Sequence, residues 1–314
     1  MGGRARSGSS RPPLALVRPI AENEARRAGD GPARPKTTGG ETPMGELTGR
    51  VAVVTGAASG NGRAIALRLA RDGADVAIAD LDAAGMAETA QAIGREGRAC
   101  LAQRCDVSSK ADVDALFDAV VARFGRVDVA VANAGVVERG SHCLTMTEQE
   151  WDRTTGVNLK GVFFTLQVAA QRMIAARTPG RLIAISSIMG EWGNATSPAY
   201  CASKGGVKQL VKSFATAVGH AGITCNAIGP GFIRTAMTGP VFENAAMERF
   251  LVDRTPNGNI GDPEDVAAVA AFLARDDARF VNGTTIFPDG GITAGLYSNV
   301  TRENAAARVR ASGA

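Results

Sequence analysis

The chain has 314 residues, 45% of them hydrophobic, which is length and apolar content enough to bury one large core. Its net charge is +4, and residues 1–43 alone carry eight Lys/Arg against four Asp/Glu, so the remainder is neutral and offers no basic surface for nucleic acid. Five cysteines without CxxC or metal-ligand spacing point to reduced thiols in a cytoplasmic setting and to no metal, and two histidines, His142 and His220, leave little material for a histidine triad.

Residues 1–43 hold six of the thirteen prolines and show no sustained periodicity, so disorder is their expected state. The apolar run Leu14–Val17 is too short for a signal-peptide core or a membrane span. A transit segment would be arginine-rich, as this one is, but Glu22, Glu24 and Asp30 count against it. The preferred reading places the natural start at Met44. The expected organisation is a basic tail (1–43), one nucleotide-binding domain (44–297) and a C-terminal tail (298–314).

Val51–Val54 is an apolar, β-prone run that leads into Thr55, Gly56, Ala57, Ala58, Ser59, Gly60, Asn61 and Gly62. Ile65, Ala66, Leu69 and Ala70 then recur at helical spacing up to Gly73. This order of strand, glycine turn and helix lets main chain approach a ligand closely and offers unpaired helix N–H groups to a pyrophosphate. A second strand, Ala74–Ala79, ends at Asp80, 24 residues after Gly56. An acid at that offset accepts hydrogen bonds from the adenosine ribose and repels a 2′-phosphate, which favours NAD over NADP. The alternative for Asp80 is an N-cap of the next helix.

Further along, helices are predicted over Lys110–Phe124, Glu148–Ala176, Tyr200 to about Gly219, and Pro263–Ala274 with Asp262 as N-cap. Strands are predicted at Val127–Ala132, Arg181–Ser187, Ile223–Ile228 and Gly283–Pro288. Strands alternating with helices imply a parallel sheet in an α/β fold. Tyr200 and Lys204 lie four apart, on one face of their helix. A phenol beside a cation has its ionised form favoured, in outline a general acid/base, whereas the plainer reading is an ordinary surface pair.

Taken together, these pieces resemble the short-chain dehydrogenase/reductase family over roughly Leu47 to Gly291. Thr55–Gly62 matches its TGxxxGxG turn, with Asn61 where isoleucine or leucine is commonest. Asn133–Ala134–Gly135 matches its NNAG, with Ala132 replacing the first asparagine; Tyr200–Lys204 matches its YxxxK; Gly229–Thr235 resembles its PGxxxT. The resemblance implies a Rossmann-like, doubly wound, seven-stranded parallel sheet in one domain, and catalysis by Asn158, Ser187, Tyr200 and Lys204. Ser187 is singled out over Ser186 because it lies 13 residues before the tyrosine.

For the cofactor it implies contacts from Gly56, Ser59, Gly60, Asn61, Gly62, Asp80, Asp106, Val107, Asn133, Ala134, Gly135, Pro230, Ile233 and Thr235, as well as from Tyr200 and Lys204. It also implies a homotetramer or dimer, and a small alcohol or ketone substrate met by residues 138–146, 188–198 and the lid 236–255. Trp192, Met237, Phe242, Met247 and Phe250 suggest an apolar pocket, with Glu191, Asn194 and Arg249 as polar contacts. The expected activity is NAD-dependent interconversion of a secondary alcohol and a ketone. The alternatives are reduction of a 3-oxoacyl thioester and a non-catalytic nucleotide-binding regulator.

Overall fold

The computed structural model describes residues 46–138 and 140–295, together with 307 and 310. The chain divides after Thr42. The 1–43 tail, the start at Met44 and the 298–314 tail apart from those two positions lie outside the described residues.

Seven strands form one sheet in the order β3-β2-β1-β4-β5-β6-β7, and every pair is parallel. They are β1 (Val51–Thr55), β2 (Asp75–Asp80), β3 (Cys100–Arg104), β4 (Val129–Ala132), β5 (Arg181–Ile185), β6 (Thr224–Ile228) and β7 (Thr285–Ile286). The central strands are buried on both faces, as crossover helices require. In β1, Ala52 and Val54 face the core shared with Ile65, Leu69, Val266 and Leu273, whereas Val53 faces the core of Leu116, Phe117, Leu166 and Val211. β5 repeats the division, with Ile183 and Ile185 on the first side and Leu182 and Ala184 on the second.

The first core lies under α1 (Gly60–Arg71), α2 (Ala83–Arg95) and α9 (Pro263–Ala274); the second lies under α3 (Lys110–Phe124), α5 (Val162–Ala175) and α6 (Pro198–Val218). Helix ends follow local chemistry. Ser109 caps α3 by accepting from the Asp112 N–H, and Gly125 closes it at φ 77°. α4 (Glu148–Thr155) opens on a reciprocal capping pair of Thr147 and Glu150. Two short helices, α7 (Gly239–Phe242) and α8 (Ala245–Arg254), form the lid between β6 and α9.

Two predicted elements differ from the structure. The helix expected over Glu148–Ala176 is interrupted by a π-helical turn, Gly156–Gly161, between α4 and α5. Its Asn158 is pulled inward by both polar atoms of its amide, with Oδ1 accepting from Val136 N at 2.8 Å and Nδ2 donating to Val136 O at 2.7 Å. The helix widens to admit that residue. The last strand is shorter than Gly283–Pro288, because Gly283 turns at φ 79° and Pro288 has no N–H to donate.

The glycine turn is sterically exclusive. A β-carbon on Gly62 would stand 2.0 Å from Gly56 O, whereas one on Gly94, late in α2, would meet nothing within 4 Å. Gly62→Ala should therefore cost about 1–3 kcal/mol or more of unfolding free energy, and Gly94→Ala should raise it by about 0.5–1 kcal/mol, both read by urea denaturation. Equal effects at the two glycines would contradict this packing.

Candidate active site

A cleft of about 360 Å³ opens at the carboxyl ends of the strands, where the sheet order reverses between β1 and β4. Open α/β sheets bind ligands at such a switch point. Gly56, Ser59, Gly60, Asn61, Gly62, Asp80, Asp106, Val107, Asn133, Ala134, Gly135, Ser187, Tyr200, Lys204, Pro230, Ile233 and Thr235 all line it. Asn158 does not line it and stands just behind Gly135.

At one end the β1–α1 turn forms a cradle. Gly56 and Gly60 take φ of 66° and 52°, and the Ser59 side chain makes no capping bond, so the first amides of α1 are left for a ligand. Asn133 holds this turn, its Nδ2 donating to Thr55 O at 2.9 Å and to Gly56 O at 3.0 Å. Thr55 Oγ1 accepts in return from the Asn133 and Ala134 amides at 3.1 and 3.2 Å. Asp80 is pinned by three main-chain amides: Ala58 N at 3.0 Å, Leu81 N at 2.7 Å and Asp82 N at 3.1 Å. The cap of α2 is Asp82, which accepts from the Ala84 and Gly85 amides. Asp80 is therefore not the cap of that helix, and it lines the cleft.

The other end holds the ionisable groups. Tyr200 and Ser187 face each other across the cleft wall closely enough for the serine hydroxyl to act on the phenol. Lys204, only 3% exposed, donates from Nζ to Ile185 O at 2.7 Å, and its Nζ lies 5.6 Å from the Tyr200 ring centre. Asn158 is fully buried; a β-carbon on Gly135 would be 3.4 Å from Asn158 Oδ1 and 3.7 Å from Lys204 Nζ, so those two polar groups flank one point. Ser186 takes the structural part expected of it, donating from Oγ to Lys204 O at 2.8 Å.

Burial dominates the electrostatics here. It pushes the Tyr200 phenol up, against the partial pull of the Ser187 hydroxyl. The same desolvation brings the Lys204 ammonium down from 10.5 to about 8. Each group is harder to ionise than in water, so the ionised phenol expected from a cation four residues away is not favoured: burial outweighs it, and Lys204 is not among the groups that shift Tyr200.

The cleft fits a dinucleotide. Gly56 and Gly62 in its turn leave no room for a β-carbon, its helix N-terminus is uncapped, and Asn61 Oδ1 is buried with no hydrogen-bond partner. An unpaired buried acceptor is costly and suits a site that a polar ligand completes. Among the described residues, no group of three or more His, Cys, Asp and Glu could hold a metal ion.

Sequence reasoning missed several residues. Thr55 anchors Asn133, a role that its place at the head of the glycine motif did not reveal. Val136, Leu81 and Thr238 also line the cleft. In the substrate region, Glu191 pairs with Lys208, and Asn194 Oδ1 is occupied by the Thr196 amide and hydroxyl, each at 2.9 Å. Of the apolar candidates, Met237 lines the cleft. Trp192, Met247 and Phe250 stand partly exposed, and Arg234 ties the loop after β6 to α8 through Glu248.

Lys204 makes stability depend on pH. Its folded value lies below its ordinary one, so the cost of burying its charge is fully present below pH 8 and is relieved as pH rises from about 8 to 10.5. The stability of the protein relative to Lys204→Met should rise across that window, on the order of 1.4 kcal/mol for each pH step of about one. Urea denaturation at pH values of about 7.5 and about 9.5 reads this, and a constant difference would refute it.

A family model described as enoyl-(acyl carrier protein) reductase matches residues 56–293. Human (3R)-3-hydroxyacyl-CoA dehydrogenase is 40% identical over 253 residues, which cover 78% of this chain and 96% of that protein. The 3beta-hydroxysteroid dehydrogenase 1 of Eggerthella lenta is 41% identical over 256 residues, 79% of this chain and 95% of that one. Among solved structures, a candidate 2-deoxy-d-gluconate 3-dehydrogenase from Agrobacterium tumefaciens with bound NADP is similar at TM-score 0.75 and 35% identity, covering 81% of this chain and all of that chain. A short-chain type dehydrogenase/reductase from Mycobacterium marinum is similar at TM-score 0.75 and 33% identity, covering 79% and 97%. Sheet order, glycine turn and relatives agree: the chain belongs to the short-chain dehydrogenase/reductase family of NAD(P)-dependent oxidoreductases.

Proposed function

We propose that the protein is an NAD-dependent enzyme that interconverts a secondary alcohol and a ketone, with Tyr200 as the general acid/base. The observation that carries this reading is the convergence of Ser187, Tyr200 and Lys204 on the wall of the cleft that also contains the glycine cradle and Asp80. The dinucleotide supplies the hydride acceptor or donor when bound. The α1 amides with Gly56, Ser59, Gly60, Asn61 and Gly62 hold its pyrophosphate, Asp80 its adenosine ribose, and Asp106 and Val107 its adenine. Asn133–Gly135 and Pro230 line its path, and Ile233 and Thr235 hold its carboxamide.

In the oxidising direction Tyr200 Oη takes the alcohol proton while Ser187 Oγ donates to the substrate oxygen. Lys204 holds the ribose next to the nicotinamide; Asn158 anchors the route by which the proton reaches solvent. Reduction reverses each step.

Asp80 supports NAD over NADP, since its carboxylate is fixed by three amides and, among the described residues, no Lys or Arg lines the cleft beside it. Cytoplasmic residence agrees with free cysteines and with the finding that no helix among the described residues is long and apolar enough to cross a membrane. Assembly as a homotetramer or dimer is supported by a groove between the helices that carry Asn158 and Tyr200, lined by Leu159, Phe163 and Leu210. The named relatives make 3-hydroxyacyl thioesters and hydroxysteroids the first substrates to try, with simple cyclic alcohols and sugars beside them.

The test is nicotinamide absorbance across that panel. Tyr200→Phe should bind NAD with nearly unchanged affinity and lose turnover by about 10²–10⁴-fold; near-normal turnover would sink the mechanism. Silence of the unmodified protein across the panel, with NAD bound, would leave the non-catalytic regulator. Asp80→Ala should improve NADP affinity relative to NAD by about tenfold or more, measured by calorimetry, and an unchanged ratio would remove Asp80 from cofactor choice.

A further inference from the structure

Glu138 has no part in the chemistry above, yet it is bound to the residue at its centre. It lies on the segment that leaves β4, and its Oε1 accepts from the main-chain N–H of Tyr200 at 2.9 Å. That amide belongs to the third residue of α6. The cap position of this helix is Ser197, whose side chain makes no capping bond, and Pro198 follows it without an N–H. A carboxylate from a distant loop thus does the capping, at the positive end of a 21-residue helix. The other carboxylate oxygen, Oε2, is buried with no hydrogen-bond partner. Two residues earlier, Val136 is held by both ends of the Asn158 amide. One short strap therefore fastens Asn158 at one point and Tyr200 at another.

We propose that Glu138 is a positioning residue for Tyr200: one carboxylate oxygen seats the tyrosine through its main-chain amide at the start of α6, and the other, buried and without a hydrogen-bond partner, keeps a carboxylate at the edge of the site. The groups facing Tyr200 are few. Ser187 approaches from beyond β5, Cys201 and Lys204 from its own helix, and Glu138 from the strap. After burial and the Ser187 hydroxyl, Cys201 and Glu138 act on the phenol, both raising its proton affinity. A negative charge acting on a phenol disfavours the phenolate. Glu138 thereby biases Tyr200 towards its protonated form, the form that donates to a carbonyl during reduction.

This inference rests on the general acid/base role proposed for Tyr200, and the experiment separates the two. Glu138→Gln keeps a carbonyl for the Tyr200 amide and removes the charge; Glu138→Ala removes both. In Glu138→Gln the pH midpoint of alcohol oxidation should fall by about half a unit, with kcat at the plateau within about threefold of the parent. Glu138→Ala should lose about tenfold in kcat while the dinucleotide Kd stays constant. A second readout needs no turnover. The chain has two tyrosines, Tyr200 and Tyr297, so in a Tyr297→Phe background tyrosinate absorbance reports Tyr200 alone. Recorded milliseconds after an alkaline jump, before unfolding, its midpoint should fall in Glu138→Gln.

Coincident midpoints in both readouts would overturn the proposal. A shifted tyrosinate midpoint in a protein that turns over no alcohol would uphold the positioning role and reject the catalytic one.

Discussion

The site depends on how closely two stretches of main chain approach each other at Gly56. A β-carbon there would lie 2.6 Å from Ala134 Cα, so the β1–α1 turn and the segment after β4 fill a volume that admits no side chain. Steric fit alone would leave backbone carbonyls and amides stranded. The Asn133 amide group and the Thr55 hydroxyl satisfy them with four hydrogen bonds, each worth about 1 kcal/mol net and costlier to leave unmade. Because the strands on either side of this junction lead to helices on opposite faces, the cleft opens where the junction is tightest. Cofactor cradle and catalytic wall are therefore built from one rigid corner.

Dryness is the second organising condition. Tyr200 and Lys204 are held against β5 and the turn that follows it, in surroundings that disfavour charge on either. Asn158 and Ser187, both buried, place fixed polar atoms beside them. The Lys204 bond to Ile185 O aims the ammonium from the end of a strand rather than from a loop. Strand ends are stiffer, which suits a group whose position has to be reproducible.

The elements most legible in the sequence carry strong local signals. α3 begins and ends where Ser109 and Gly125 place it, and α9 begins where Asp262 and Pro263 place it. The strands β1, β2 and β5 read as largely apolar runs because both faces are buried. Site residues at the ends of those strands were legible for the same reason: a motif beside a well-marked element inherits its position. What escaped was decided by tertiary contact. The π-turn exists because Asn158 meets Val136, the lid polar residues are consumed by neighbours such as Lys208 and Thr196, and Glu138 matters through the amide of a residue 62 positions away. No local pattern encodes these partners.

The π-turn has one more consequence. An extra residue within a turn advances the angular phase of everything after it by roughly 100°. α4 buries little beyond Thr154, whereas α5 buries Val162, Thr165, Leu166, Val168, Ala169, Ala170 and Met173. A continuous α-helix would have to share one stripe between two tasks, lining the site and packing the sheet. The inserted residue splits them, so the core-facing stripe of α5 is set independently of where Asn158 points. Deleting any single residue from 156–161 would restore ordinary helical geometry and swing either the asparagine or the stripe out of alignment, so this stretch should tolerate substitution far better than a change in its length.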